Sequence, residues 1–208
     1  MAGDTTAGTP KRPAAIPLGP PGGPRAGAGA AVAAPGSPTG GAVRASAGLA
    51  RFNAATPRAA EAALLACCGS RRWARRVAAH RPYPTLDALL AAADEAGYDL
   101  SAADLDEALA DETAPVLPPG TPGAAHMALD AAHTAYLSRF GHAFVICLDG
   151  YRQDEHVDQV LAGIRCRLGN EPDEERAVAA DELRRLARAR LSRLVANCGW
   201  PDSPSVLV

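Results

Sequence analysis

From residue 57 onward, apolar residues recur three and four positions apart, and each such stretch is bounded by residues that start or stop helices. Thr56 stands as an N-cap before Pro57 at the first helical position; RAAEAALLACC follows and Gly69 ends it. Ser70 caps SRRWARRVAAH, which runs to His80, and RPYP then breaks the pattern. Thr85 caps LDALLAAADEAG, with Gly97 in the place of a C′ glycine. Ser101 caps AADLDEALAD, and Asp104 completes the pattern of a capping box. The prolines and glycines of DETAPVLPPGTPG, residues 111–123, exclude a continuing helix. AAHMALDAAHTAYLSRFG predicts the next helix, to Gly141. HAFVICLDG, residues 142–150, has a β-branched centre and reads as a short, extended, buried run. DEHVDQVLAGIRCRLG is again helical, with Asp154 near its start. EPDEERAVAADELRRLARARLSRLVAN opens with acids and closes with arginines, as the helix dipole favours, and Leu183, Leu186, Leu191 and Leu194 form its apolar stripe. With no strand pair and no internal repeat, the pattern predicts an all-α fold, one compact multi-helix domain over residues 48–198.

Composition changes the picture mainly at the ends. Residues 1–47 are almost entirely Ala, Gly, Pro, Ser and Thr, too poor in apolar bulk to offset the entropy of ordering, and are expected to be a disordered tail. Residues 199–208 are expected to be a short C-terminal tail. The 208-residue chain has a formal net charge of −2 and a pI of about 6.2, so no nucleic-acid partner is expected. It has no run of about 20 apolar residues, and prolines interrupt the N-terminal apolar stretches, so neither a membrane span nor a signal segment is expected. Five cysteines without a CxxC predict neither a disulfide framework nor a metal site, and point to a cytoplasmic protein with reduced thiols.

Few residues stand out as chemistry. Cys67-Cys68 reads as two small buried residues at a helix end. Arg71, Arg72, Arg75 and Arg76 read as a solvated face, with Glu61, Asp87, Asp94 and Glu95 near enough in sequence to balance them, and Trp73 as a core anchor. The five histidines form neither HExxH nor HxH. His142 is set apart by its place between a helix-ending glycine and the buried FVICL run, where pockets often form. Arg167 lies among core positions such as Ile164 and Leu168. Such an arginine is either paired internally or held for an anionic ligand, and spacing leaves both open.

Several segments, taken in order, carry a resemblance. RFNAATPRAAEAALLACCGSRRWARRVAAHRPYPTLDALLAAADEA, AYLSRFGHAFVICLDG and GIRCRLGNEPDEERAVAADELRRLARARLSRLV together resemble the 2-oxo-4-hydroxy-4-carboxy-5-ureidoimidazoline (OHCU) decarboxylases, in a variant of actinobacterial style. The resemblance implies an all-α, cofactor-free and metal-free enzyme, commonly a homodimer. Such an enzyme takes a small anionic ureidoimidazoline, removes its C4 carboxylate and protonates C4 to give (S)-allantoin. Its arginine before Leu-x-Asn falls on Arg167, implying substrate-anion binding, and its backbone contacts fall on Phe144, Val145, Ile146, Cys147 and Leu148. The family's His-Pro motif, whose histidine is the acid-base group, has no counterpart in LADETAPVLPPG, and the Ser-x-x-Glu-Gln motif is also unmatched. Counting back from Tyr136 brings Glu112 near the family's glutamate. Two expectations follow: a working decarboxylase in which Glu112 and His142 share proton transfer, or a non-catalytic paralogue that keeps the fold as a binding or regulatory module.

Overall fold

The computed structural model describes residues 40–114 and 121–197. The expected tail up to residue 39 and the C-terminal tail lie outside these, as does the centre of the 111–123 loop. The described part consists of eight α-helices: α1 (Gly40–Ala54), α2 (Pro57–Leu65), α3 (Arg71–Ala79), α4 (Leu86–Tyr98), α5 (Ala102–Ala110), α6 (Gly123–Phe140), α7 (His156–Arg167) and α8 (Pro172–Ala196). A single 3-10 turn, Gln153–Glu155, leads into α7. No strand occurs among the described residues. The helical part starts at Gly40 rather than at 48, because alanines continue the periodicity backward from Leu49 and Phe52, both buried.

Sequence sets the helix starts as expected. The hydroxyls of Thr56, Ser70 and Thr85 accept from the N–H groups of Ala59, Trp73 and Ala88 at 3.3, 3.3 and 3.1 Å. Ser101 and Asp104 form a reciprocal capping box. Gly141 ends α6 at φ 78°, a left-handed conformation that favours glycine. Gly97 does not end α4, which runs on to Tyr98. A Cβ there would come within 2.9 Å of the Arg184 Cγ on α8, so this glycine serves helix approach rather than helix termination. The arginine face of α3 is balanced from elsewhere than expected. Arg71 pairs with Glu107, Arg72 with Asp104 and Arg76 with Asp99, while Asp94 is taken by Arg188. Residues of α5 and of the α4–α5 turn lie against that face, and chain proximity alone could not show it.

The apolar side chains divide into two cores. The larger gathers α1 to α5 against α8 around Phe52, Leu64, Trp73, Leu89, Leu109, Leu183 and Leu191. The smaller lies between α6 and α7, around Leu129, Tyr136, Phe144, Val160 and Ile164. The run 143–148 is the partition between them. Val145 packs into the larger core, while Phe144, Ile146 and Leu148 pack into the smaller. This is the period-two alternation of an extended chain, although no second strand pairs with it among the described residues. Gly163 on α7 makes room for it, since a Cβ there would meet Phe144 Cζ at 3.0 Å and Ile146 Cδ1 at 3.5 Å.

Candidate functional site

The 143–148 run is buried at Phe144 and Val145 and half-buried at Ile146 to Leu148, and without a strand partner its enclosed peptide groups must find other partners. Here they come from long side chains. Arg167 Nη1 donates to the Val145 carbonyl at 2.6 Å, and Glu182 Oε2 accepts from the Cys147 N–H at 2.8 Å. At its exit the Tyr151 N–H donates to the Leu148 carbonyl, and Asp149 pairs with Arg193. Among the described residues, no acceptor receives the N–H of Ile146 or Leu148. The run is therefore tied along one edge, through the Val145 carbonyl and the Cys147 N–H, and unpaired at Ile146 and Leu148 along the other.

Arg167 is set by the residues that make its motif. Its Nε and Nη2 both donate to Glu175 Oε1, at 2.8 and 2.5 Å, and Nη2 also reaches the Tyr136 hydroxyl at 3.1 Å. Tyr136 donates its own proton to Glu175 Oε1. Asn170 donates from Nδ2 to Glu175 Oε2 at 2.9 Å. The Arg and Asn of Arg167-Leu168-Gly169-Asn170 thus hold one carboxylate, itself 0 % exposed, and Arg167 lies 4.5 Å over the Phe144 ring. Burial and the adjacent Glu175 push the Tyr136 phenol up, so it remains a donor at neutral pH. Of the two expectations left open for Arg167, internal pairing is what the structure shows. Four of its five N–H groups are committed, and the guanidinium is enclosed.

His142 stands beside this network. Its ring meets the Tyr136 ring edge-on at 5.6 Å and lies 6.4 Å from Phe140. Nδ1 is 3.0 Å from the Ala143 carbonyl. A carbonyl only accepts, so Nδ1 carries the proton there and a neutral ring keeps its lone pair on Nε2. That leaves a half-buried imidazole with one nitrogen free, at the entrance to the open-edged run. His133, seven residues from His126 on one face of α6, reads from sequence as structural rather than as a ligand. It packs 6.3 Å from Phe144, burial pulls its pKa down, and its Nε2 is buried without a partner among the described residues.

Glu112 lies elsewhere. It receives Arg190 Nη1 and Nη2 at 2.6 and 2.8 Å, while Arg190 also donates to the Cys67 carbonyl. The two-point hydrogen bonding raises the Arg190 pKa further. Arg190 is fifteen residues beyond Glu175 on α8, about 22 Å along the axis, so Glu112 and His142 sit toward opposite ends of that helix. The structure does not bring them together, and a carboxylate gripped on both oxygens is an acceptor rather than a proton donor. Burial pushes the neighbouring thiols of Cys67 and Cys68 up to about 11, which leaves them protonated and unreactive at neutral pH.

A family model described as OHCU decarboxylase matches residues 53–114 and 120–192. The 2-oxo-4-hydroxy-4-carboxy-5-ureidoimidazoline decarboxylase of Amia calva is 32% identical over 67 residues, which is 32% of this chain and 36% of that protein, so the match spans about a third of the curated relative. The fold resembles a crystal structure of OHCU decarboxylase in the presence of (S)-allantoin, with a TM-score of 0.54 and 22% identity, over 63% of this chain and 95% of that one. It also resembles a crystal structure of (S)-allantoin synthase, with a TM-score of 0.53 and 18% identity, over 69% of this chain and 52% of that one. At these identities the two structures speak to fold alone.

Proposed function

The chain belongs to the OHCU decarboxylase family, and from that premise we propose that it decarboxylates OHCU to (S)-allantoin without a cofactor, in the cytoplasm. The reaction breaks one carbon–carbon bond. The carboxylate leaves as CO₂, its bonding pair stays on the ring, and C4 must then receive a proton on one face. A protein can help by offering donors to the anion and to the charge that develops, and by placing an acid at C4.

The observation that carries this reading is the one-sided tethering of residues 144–148. The open N–H groups of Ile146 and Leu148 lie on one edge of a run whose other edge is fixed, and preorganised donors of this kind favour developing negative charge. Phe144 and Val145 seat the run, and Arg167 becomes a positioning residue that holds the Val145 carbonyl instead of the substrate. His142 supplies the proton: its free Nε2 first takes one up from solvent, delivers it to C4, and returns to the neutral ring with Nδ1–H still on the Ala143 carbonyl. Glu112 has no part in the step, and its pairing with Arg190 braces the chain beyond α5 against α8.

The test generates OHCU in situ from urate, using urate oxidase and hydroxyisourate hydrolase, and follows the circular dichroism of (S)-allantoin. The protein should raise the rate above the spontaneous background, and His142→Asn should lower the enzymatic rate by about 10²–10⁴-fold with the melting temperature unchanged. A wild-type rate equal to background would leave the non-catalytic binding or regulatory module as the better reading. A fully active His142→Asn would remove that residue from proton transfer.

A further inference from the structure

α8 meets the 145–149 run at three of its residues. Glu175 acts through Arg167 on the Val145 carbonyl, Glu182 binds the Cys147 N–H directly, and Arg193 pairs with Asp149. These residues are seven and eleven positions apart, close to two and three turns of a 3.6-residue helix, so they share one stripe. The first contact reaches a carbonyl, the second an amide and the third a side chain. Only the second binds a peptide N–H directly, and it lies between the unpaired amides of Ile146 and Leu148. Glu182 is itself held. Its side chain is only 15% exposed, and Oε1 receives Arg185 Nη1 at 2.7 Å while Oε2 takes the Cys147 amide.

We propose that Glu182 is a positioning residue for the reaction. Resting on the decarboxylase reading above, the role is to hold the Cys147 amide toward α8, so that alternation along the chain turns the Ile146 and Leu148 amides the other way, toward the substrate. No strand partner sets the direction of these peptide groups: Arg167, on the Val145 carbonyl, orients the planar peptide that carries the Ile146 N–H, and the Glu182 contact orients the next peptide, from which the Leu148 amide follows. Loss of the carboxylate frees the Ile146–Cys147 peptide to rotate, and the Leu148 donor then loses the direction it shares with the Ile146 donor, which Arg167 still holds through the Val145 carbonyl. Misplacement on the ångström scale is enough to cost a large factor in rate.

The experiment compares wild type, Glu182→Ala and Glu182→Gln by amide hydrogen exchange and by steady-state kinetics in the circular dichroism assay. Glu182→Ala should speed exchange of the Cys147 amide at least about tenfold and lower kcat by about 10- to 100-fold, with KM moving much less. Glu182→Gln keeps an acceptor oxygen at the same reach and should restore most of both. General destabilisation would not produce that kcat-against-KM split or the rescue by glutamine. Wild-type exchange at Cys147 in Glu182→Ala would overturn the contact itself, whatever the activity. Fast exchange with unchanged kcat would overturn the positioning role. A wild type that turns nothing over sinks the decarboxylase reading and the positioning role with it, while the exchange comparison still decides whether Glu182 holds the run.

Discussion

Glu175→Ala should melt roughly 10 °C below wild type, with a loss of about 3–5 kcal/mol, the range seen when one partner of a buried ion pair is removed. The reason is the company the carboxylate keeps. Glu175 is fully buried and accepts from Arg167, Tyr136 and Asn170. Alanine leaves a buried guanidinium without its counter-charge and strands a phenol and an amide at the same point. The damage should spread to the Val145 carbonyl, because Arg167 is held in place by the group that is lost. A paired replacement separates charge from packing. Arg167→Met with Glu175→Leu removes both charges at similar bulk and should recover much of the stability, since apolar substitutes for buried pairs are often neutral or better. The Tyr136 hydroxyl and the Val145 carbonyl would still lack partners, so the double variant should remain less active than wild type. A melting temperature for Glu175→Ala within about 2 °C of wild type would mean that water reaches the network.

Trp73→Ala should cost a similar amount, about 3–5 kcal/mol by urea denaturation, as truncation of a large buried aromatic does. The side chain is 2% exposed at the centre of the larger core, and its Nε1–H donates to the Ala93 carbonyl at 2.8 Å. Alanine loses the apolar contact and leaves that carbonyl unpaired. Relaxation offers little relief, because Trp73 already borders a hollow of about 90 Å³ that Leu105, Leu183 and Ala187 do not fill. Trp73→Phe keeps most of the apolar body and loses the donor, so it should cost about 1–2 kcal/mol. A loss below about 1 kcal/mol for the alanine variant would show that the α3–α4–α8 interface closes over the gap.

The helices and their caps could be read from the chain because they are local. Thr56, Ser70, Thr85 and Ser101 each act on a backbone group three residues away, and a window of that size contains the whole interaction. Trp73 was legible for the same reason, as a large apolar residue on an otherwise basic helix. The site was less so, because its partners are far apart in sequence. Arg167 could be placed among core residues but not assigned. Its carboxylate looks like one more acid in the first turn of a helix, where the dipole already accounts for acids. Glu182 resembles a solvated glutamate, and the signal that marks it is its spacing of seven from Glu175 and eleven from Arg193. Glu112 was placed by alignment across a loop, and its partner Arg190 lies 78 residues away. The division into two cores by residues 143–148 follows from α6 and α7 packing on each other apart from α1 to α5, which no periodicity within one helix reveals.

The central claim is that the open edge of residues 146–148 is where the ligand binds. A titration of ¹⁵N-labelled protein with (S)-allantoin, followed by two-dimensional amide NMR, addresses it residue by residue. The Ile146 and Leu148 amide resonances should shift most as the product binds, while the Cys147 amide, already held by Glu182, should shift least of the three. Shifts gathered instead around Glu112, Arg190 and Cys67, with Ile146 and Leu148 unmoved, would contradict the account.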